Sequence, residues 1–159
     1  MMKKIVGFSI IELVVVIAII AILSVNVLIT YQPAPINLAA QANQLADDIR
    51  YTQSLAMTKG VRYRIVFTTP NKYQILNASG TATILALGNT TLTMGTGVTI
   101  GSMTNLPSSL INFDGLGNPY SDTATPGTAL AATATIPLTA GGITMTVAVT
   151  PGTGRVVVQ

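Results

Sequence analysis

The stretch Gly7-Phe8-Ser9-Ile10-Ile11-Glu12, followed at once by the apolar run L-V-V-V-I-A-I-I-A-I-L-S-V-N-V-L-I over residues 13–29, decides how this chain is built. Ahead of it stand Met1-Met2-Lys3-Lys4-Ile5-Val6, and from Ile5 to Ala46 the only charged side chain is Glu12. Roughly 20 helical residues at about 1.5 Å each cover a hydrocarbon layer of about 30 Å, so the run has membrane length. Lys3 and Lys4 keep the N-terminus on the cytoplasmic side and send the rest of the chain across. A carboxylate inside such a segment costs about 2.5–3.5 kcal/mol on insertion scales, so Glu12 calls for a partner. Ser24 and Asn26 interrupt the run mildly, and Asn26 suits a hydrogen bond to a neighbouring helix.

Three readings compete for this segment. A secretory signal has an apolar core of roughly 7–15 residues and a small-x-small cleavage site, whereas this run is longer and lacks a convincing site. A plain signal anchor fits the length but leaves Glu12 unexplained. The third reading comes from a resemblance. Residues 7–13, Gly-Phe-Ser-Ile-Ile-Glu-Leu, resemble the class III signal of type IV pilins and type II secretion pseudopilins, written G-F-T-L-I-E.

That resemblance implies cleavage between Gly7 and Phe8 by a prepilin peptidase, with methylation of the new Phe8 amine. It makes 1–7 a leader, 8–31 a transmembrane and filament-core helix, 32–60 the amphipathic second half of that helix, and 61–159 a β-rich domain in the periplasm or outside the cell. The physics of the segment agrees. Glu12 lies roughly 6 Å along the helix from Phe8, in the first turn, where the helix dipole is positive. A free ammonium on Phe8 faces the same positive end, so pairing Phe8 of one subunit with Glu12 of the next relieves both groups. Where many major pilins carry a helix-breaking glycine and proline, this chain has Ala21 and Ile29, and its first prolines are Pro33 and Pro35. The expectation is an unbroken helix to about Tyr31 and a bend over 32–36.

Composition bounds the remainder. The 159 residues are 49% hydrophobic and 8% charged, with neither cysteine nor histidine. Disulfide stapling, thiol nucleophiles, imidazole bases and the common zinc ligands are therefore absent. Loss of the leader removes Lys3 and Lys4 and lowers the net charge from +3 to +1, a weak argument for an anionic partner.

Over 37–59, Leu38, Ala42, Leu45, Ile49, Thr52 and Ala56 recur at steps of four and three, an amphipathic helix with Asn37 as cap, Lys59 in the last turn and Gly60 as stop. Beyond it the pattern alternates. Residues 61–67 and 72–76 read as a hairpin around Pro70-Asn71, with further strands at 81–87, 91–94, 98–100, 110–113, 129–137, 143–149 and 155–158. The fold class is α+β: a long N-terminal helix packed on an antiparallel sheet or two-sheet globular domain. Three body segments resemble the GspH/FimT family of minor pilins and pseudopilins: 43–60, ending A-D-D-I-R-Y-T-Q-S-L-A-M-T-K-G; 111–119, I-N-F-D-G-L-G-N-P, through Phe113 and Gly117; and 150–158, T-P-G-T-G-R-V-V-V.

Few residues suggest chemistry. Asp114, Asn118 and Asp122 miss the spacing of a calcium loop, and a turn built on Gly115, Gly117 and Pro119 explains them. Asp47 and Asp48 are adjacent on a helix, point roughly 100° apart and make no catalytic pair. Asp47 can pair with Tyr51 or a neighbouring subunit, and Arg50 likewise. Arg62 and Arg64 on one strand face, with Lys59, Lys72, Tyr63 and Tyr73 nearby and Arg155 in the tail, form a candidate patch for DNA phosphates and bases. Asn77-Ala78-Ser79 and Asn89-Thr90-Thr91 match the glycosylation sequon by chance.

These readings expect a non-catalytic structural subunit, with no cofactor and no metal. It would sit in the inner membrane as a single-pass prepilin with its C-terminal domain in the periplasm, then enter a pilus or pseudopilus. The partners expected are the prepilin peptidase, other pilins or pseudopilins, the inner-membrane assembly platform and the membrane. Nucleic acid, through DNA uptake, and a surface ligand bound by a tip adhesin are the alternatives.

Overall fold

The structure is a computed structural model that describes residues 9–30, 34–68, 70–83 and 89–159, with side chains for all of these except 22–30 and 34–36. The chain divides into two compact units, Met1–Pro33 and Ala34–Gln159.

The first unit holds helix α1, Ile10–Thr30. Ser9 opens it: its carbonyl accepts from the amides of Glu12 at 3.1 Å and Leu13 at 3.2 Å. Every described side chain on α1 is exposed. Gly7, Phe8 and residues 32–33 of the expected bend lie outside the described residues.

In the second unit, helix α2 spans Ala34–Lys59. It starts three residues before the expected cap, so Asn37 is inside the helix. Pro35 does not block this start, because the first turn has no intrahelical acceptor waiting for its missing N–H. The stripe is as read: Leu38, Ala42, Leu45, Ile49, Thr52 and Ala56 are all fully buried. Each large apolar side chain among them contributes about 1.5–3 kcal/mol by leaving water. Thr52 is tolerated there because its hydroxyl donates to the Asp48 carbonyl at 2.7 Å.

Two antiparallel sheets cover this stripe. Sheet A contains β1 (Tyr63–Thr68), β2 (Lys72–Asn77), β3 (Leu92–Thr93), β5 (Leu110–Phe113) and β6 (Pro119–Tyr120), in the order β3-β2-β1-β5-β6. Sheet B contains β4 (Thr99–Ile100), β7 (Ala134–Ala140), β8 (Ile143–Val149) and β9 (Val156–Val158), in the order β4-β7-β8-β9. The α+β reading with two sheets is therefore the observed fold. Helix α2 contacts β1 and β5 of the first sheet and β7, β8 and β9 of the second. Ile65, Tyr73, Ile75, Ile111 and Phe113 face Ile136, Leu138, Val147 and Val149 across one buried core.

The edges differ from the sequence reading. The first strand begins at Tyr63, so Val61 and Arg62 precede it. Residues 81–83 contribute one bridge, Ala82 to Leu76, and 84–88 lie outside the described residues. The strand expected at 129–137 is β7, displaced to Ala134–Ala140. Residues 129–133 have strand-like composition, but full pairing with β8 begins at Ala134↔Val149. The two-residue β6 is too short to leave a periodic signal.

Candidate functional site

Two regions carry the candidate residues: the first turns of α1 and the surface of the two-sheet body. On α1, Ile10 is 83% exposed, Ile11 71%, and Val14, Ile17 and Ile20 each more than half. Successive residues face all directions, so this helix is apolar around its circumference. Glu12 sits in its first turn, and among the described residues no cation pairs with it. Such a surface is stable in lipid or against other apolar helices. Its described side chains end at residue 21, and among the described residues no helix is long and apolar enough to cross a membrane.

On the body, the basic residues do not converge. Arg62 is not on a strand face with Arg64 as expected. Its guanidinium donates to the Ala124 carbonyl, lies 3.4 Å from Thr125 Oγ1 and stacks 4.9 Å from the Tyr120 ring centroid. Arg64 is half-buried within sheet A, between Leu76 of β2 and Asn112 of β5. Lys72 shares its outward face but stands opposite Thr68, roughly 13 Å further along the sheet. Arg155 is exposed in the turn before β9, on the other sheet. Tyr73 is 2% exposed and points inward, so no base can stack on it.

The acidic residues are likewise tied to local structure. Asp47 pairs with Arg50 at 2.6 Å, not with Tyr51, and both partners are solvated, so the pair contributes about 0–1 kcal/mol. Arg50 also reaches the Val156 carbonyl at 2.9 Å, which covers an edge group of β9. Asp48 accepts from the Tyr73 hydroxyl at 2.6 Å and joins α2 to β2. Burial raises its pKa above the usual carboxylate range and Asp47 adds to this, while the Tyr73 bond pulls it back. Burial and the same contact push the Tyr73 hydroxyl well up.

Asp114 closes the turn around Gly115 and Gly117, as expected, whereas Asp122 lies outside that turn and closes a separate loop that returns to Thr128. The Asp114 carboxylate accepts from the amides of Leu116 and Asn118 at 2.9 Å, from Asn118 Nδ2 at 3.1 Å and from the Tyr120 hydroxyl at 3.2 Å. Burial works against its charge, but these bonds outweigh it and hold the pKa low. Asp122 takes the amides of Ala124 at 3.1 Å and Thr128 at 3.0 Å, and Thr128, Ala124 and Arg62 keep it low.

Sequence reasoning missed Gln53, whose amide meets both the 114–118 turn and the 150–154 turn. No local signal marks it, because its partners lie 64 and 100 residues away. Leu116 was also missed, although a lone leucine between two glycines in a polar turn is a visible anomaly.

No protein-family model matches the chain, and no curated protein sequence does. Solved structures do match in fold. The type IV minor pilin FimU of Pseudomonas aeruginosa PAO1 aligns at TM-score 0.55 and 15% identity, over 77% of this chain and 87% of that one. A second crystal form of it gives 0.54 and 16%, covering 77% and 92%. The minor pseudopilin EpsH from the type 2 secretion system of Vibrio cholerae gives 0.53 and 9%, covering 77% and 96%. At these identities the likeness is one of fold, and the chain has the fold these minor pilins and pseudopilins share.

Proposed function

We propose that this chain is a minor pilin or pseudopilin, a structural subunit that enters a type IV pilus or a type II secretion pseudopilus after cleavage between Gly7 and Phe8. The observation that carries the reading is α1, a helix apolar on every side with a single carboxylate, Glu12, in its first turn. The likeness in fold of the body supports it independently. In this reading the N-terminal segment first anchors the chain in the inner membrane, with the body in the periplasm. It then leaves lipid for a bundle of like helices. There Glu12 meets the methylated amine of Phe8 on a neighbouring subunit, so that a charge costly in lipid sets the axial register. The protein would be a substrate of a prepilin peptidase and a partner of other pilins and the assembly platform, and not itself an enzyme.

Mass spectrometry of assembled material is the test. The reading expects a mature chain beginning at N-methylated Phe8, and Glu12→Leu subunits depleted from filaments. An intact Met1 in assembled material overturns it, and wild-type incorporation of Glu12→Leu overturns the pairing of Glu12 with Phe8 as the source of register.

A further inference from the structure

Three residues at or just past the end of α2 hold the turn that follows β5. Gln53 Nε2 donates to the Gly117 carbonyl at 2.9 Å. Met57 stands one helical turn further along the same face and lies across the Gly117 backbone. A Cβ on Gly117 would stand 2.9 Å from Met57 Sδ and 3.3 Å from its Cγ, so the thioether fills the space that glycine leaves. Gly60 lies against Gly115, where a Cβ would meet its backbone at 3.1 Å. Within the turn the Asp114 carboxylate takes four hydrogen bonds, so the turn docks on the helix as one piece.

Of the four methionines among the described residues, Met57 is the one that water reaches freely. It is 54% exposed, whereas Met94 is 4% exposed and Met103 and Met145 are partly buried against the core. The chain has no cysteine, so thioethers are its only sulfur and no thiol consumes an oxidant ahead of them. The most accessible of these sulfurs is thus also the one that packs a turn onto a helix.

We propose that Met57 is an oxidation site through which peroxide releases the 114–118 turn from α2. Hydrogen peroxide transfers one oxygen to Sδ: an S–O bond forms, the O–O bond breaks, the sulfur is oxidised by two electrons and the peroxide is reduced to water. A polar sulfoxide then replaces an apolar thioether. Oxygen on the turn side of the sulfur overlaps Gly117, and oxygen on the open side draws the sulfur into water. Either product lifts the thioether from the Gly117 backbone and opens the neighbouring Gln53 bond to solvent. Nothing in this depends on how α1 packs.

The test treats the full-length, detergent-solubilised chain with dilute hydrogen peroxide and maps the product by peptide mass spectrometry. Met57 should gain one oxygen before Met94, Met103 and Met145 do. At that stage amide hydrogen exchange over 114–118 should be faster and the denaturation midpoint lower, and methionine sulfoxide reductases should reverse both. Met57→Leu, which nearly conserves volume, should show neither change under the same dose. Oxidation of Met57 no faster than that of Met94 overturns the site. Full conversion of Met57 with exchange and midpoint unchanged overturns the release of the turn. An equal loss of stability in peroxide-treated Met57→Leu places the effect on another methionine and overturns the proposal too.

Discussion

Gln53 Nε2 donates to the Gly117 carbonyl at 2.9 Å, and the same nitrogen lies 2.9 Å from the Thr153 carbonyl. One helix side chain thus holds a turn of sheet A and a turn of sheet B. Both glycine-containing motifs that resemble the pilin body, 111–119 and 150–158, end on this amide. Replacing it by Gln53→Ala leaves the buried Gly117 carbonyl short of a donor, while water can reach the exposed Thr153 carbonyl. The expected loss is about 1–3 kcal/mol, seen as a lower denaturation midpoint of the detergent-solubilised chain.

The glycines beside Gln53 are there for space as well as conformation. A Cβ on Gly154 (φ +64) would lie 2.6 Å from Gln53 Nε2 and 2.9 Å from Phe113 Cε1. Gly142 has φ +80 but nothing within 4 Å of such an atom. Gly142→Ala should cost about 1 kcal/mol for left-handed backbone alone. Gly154→Ala should cost that plus about 1–3 kcal/mol for overpacking. Equal midpoints for the two variants would remove the packing argument.

Tyr73→Phe strips the Asp48 carboxylate of its donor inside a largely apolar junction. A hydrogen bond to a charged group is worth about 1.5–3 kcal/mol, so a loss in that range is expected at pH 7. The loss should shrink near pH 3, where Asp48 is protonated.

Asp48 itself sets a pH slope. Burial raises its folded pKa, so its stabilising contribution is complete below the unfolded value of about 3.9 and fades as pH rises through the folded one. Asp48→Asn keeps an acceptor for Tyr73 without the charge. Denaturant midpoints against pH should lose that fall in the variant, with stability at pH 7 equal to or above the parent's.

Asp114 has the opposite sign. Its folded pKa is lowered, so its contribution is present above about pH 3.9 and is lost as pH falls through the folded value. Asp114→Asn should be less stable than the parent at pH 7 and nearly matched to it at pH 2. The same titration series reads out both carboxylates.

Some of this molecule is local and was legible as such. The stripe from Leu38 to Ala56 follows from a 3.6-residue period, and α2 buries each of its members. The hairpin of β1 and β2, and the strands at Leu110–Phe113 and Ile143–Val149, lie where alternation put them. The start of α2 did not, because Asn37 is a good cap by type and the chain upstream is already helical. The shared strand face of Arg62 and Arg64 was not legible either, because Arg62 precedes β1 and finds Tyr120 and the Ala124 carbonyl 58 and 62 residues further on.

What the sequence alone determined is the N-terminal segment and the periodic elements. Charge placement and side-chain period act over a few neighbouring residues, and Glu12 in an apolar run is visible without any fold. What only the tertiary structure decided is which strands share a sheet, where Gln53 finds its two carbonyls, and that Leu116 stands exposed in the turn after β5. Those outcomes depend on hydrogen bonds and packing between residues tens of positions apart. Their free energy is released only when the whole body closes around its core.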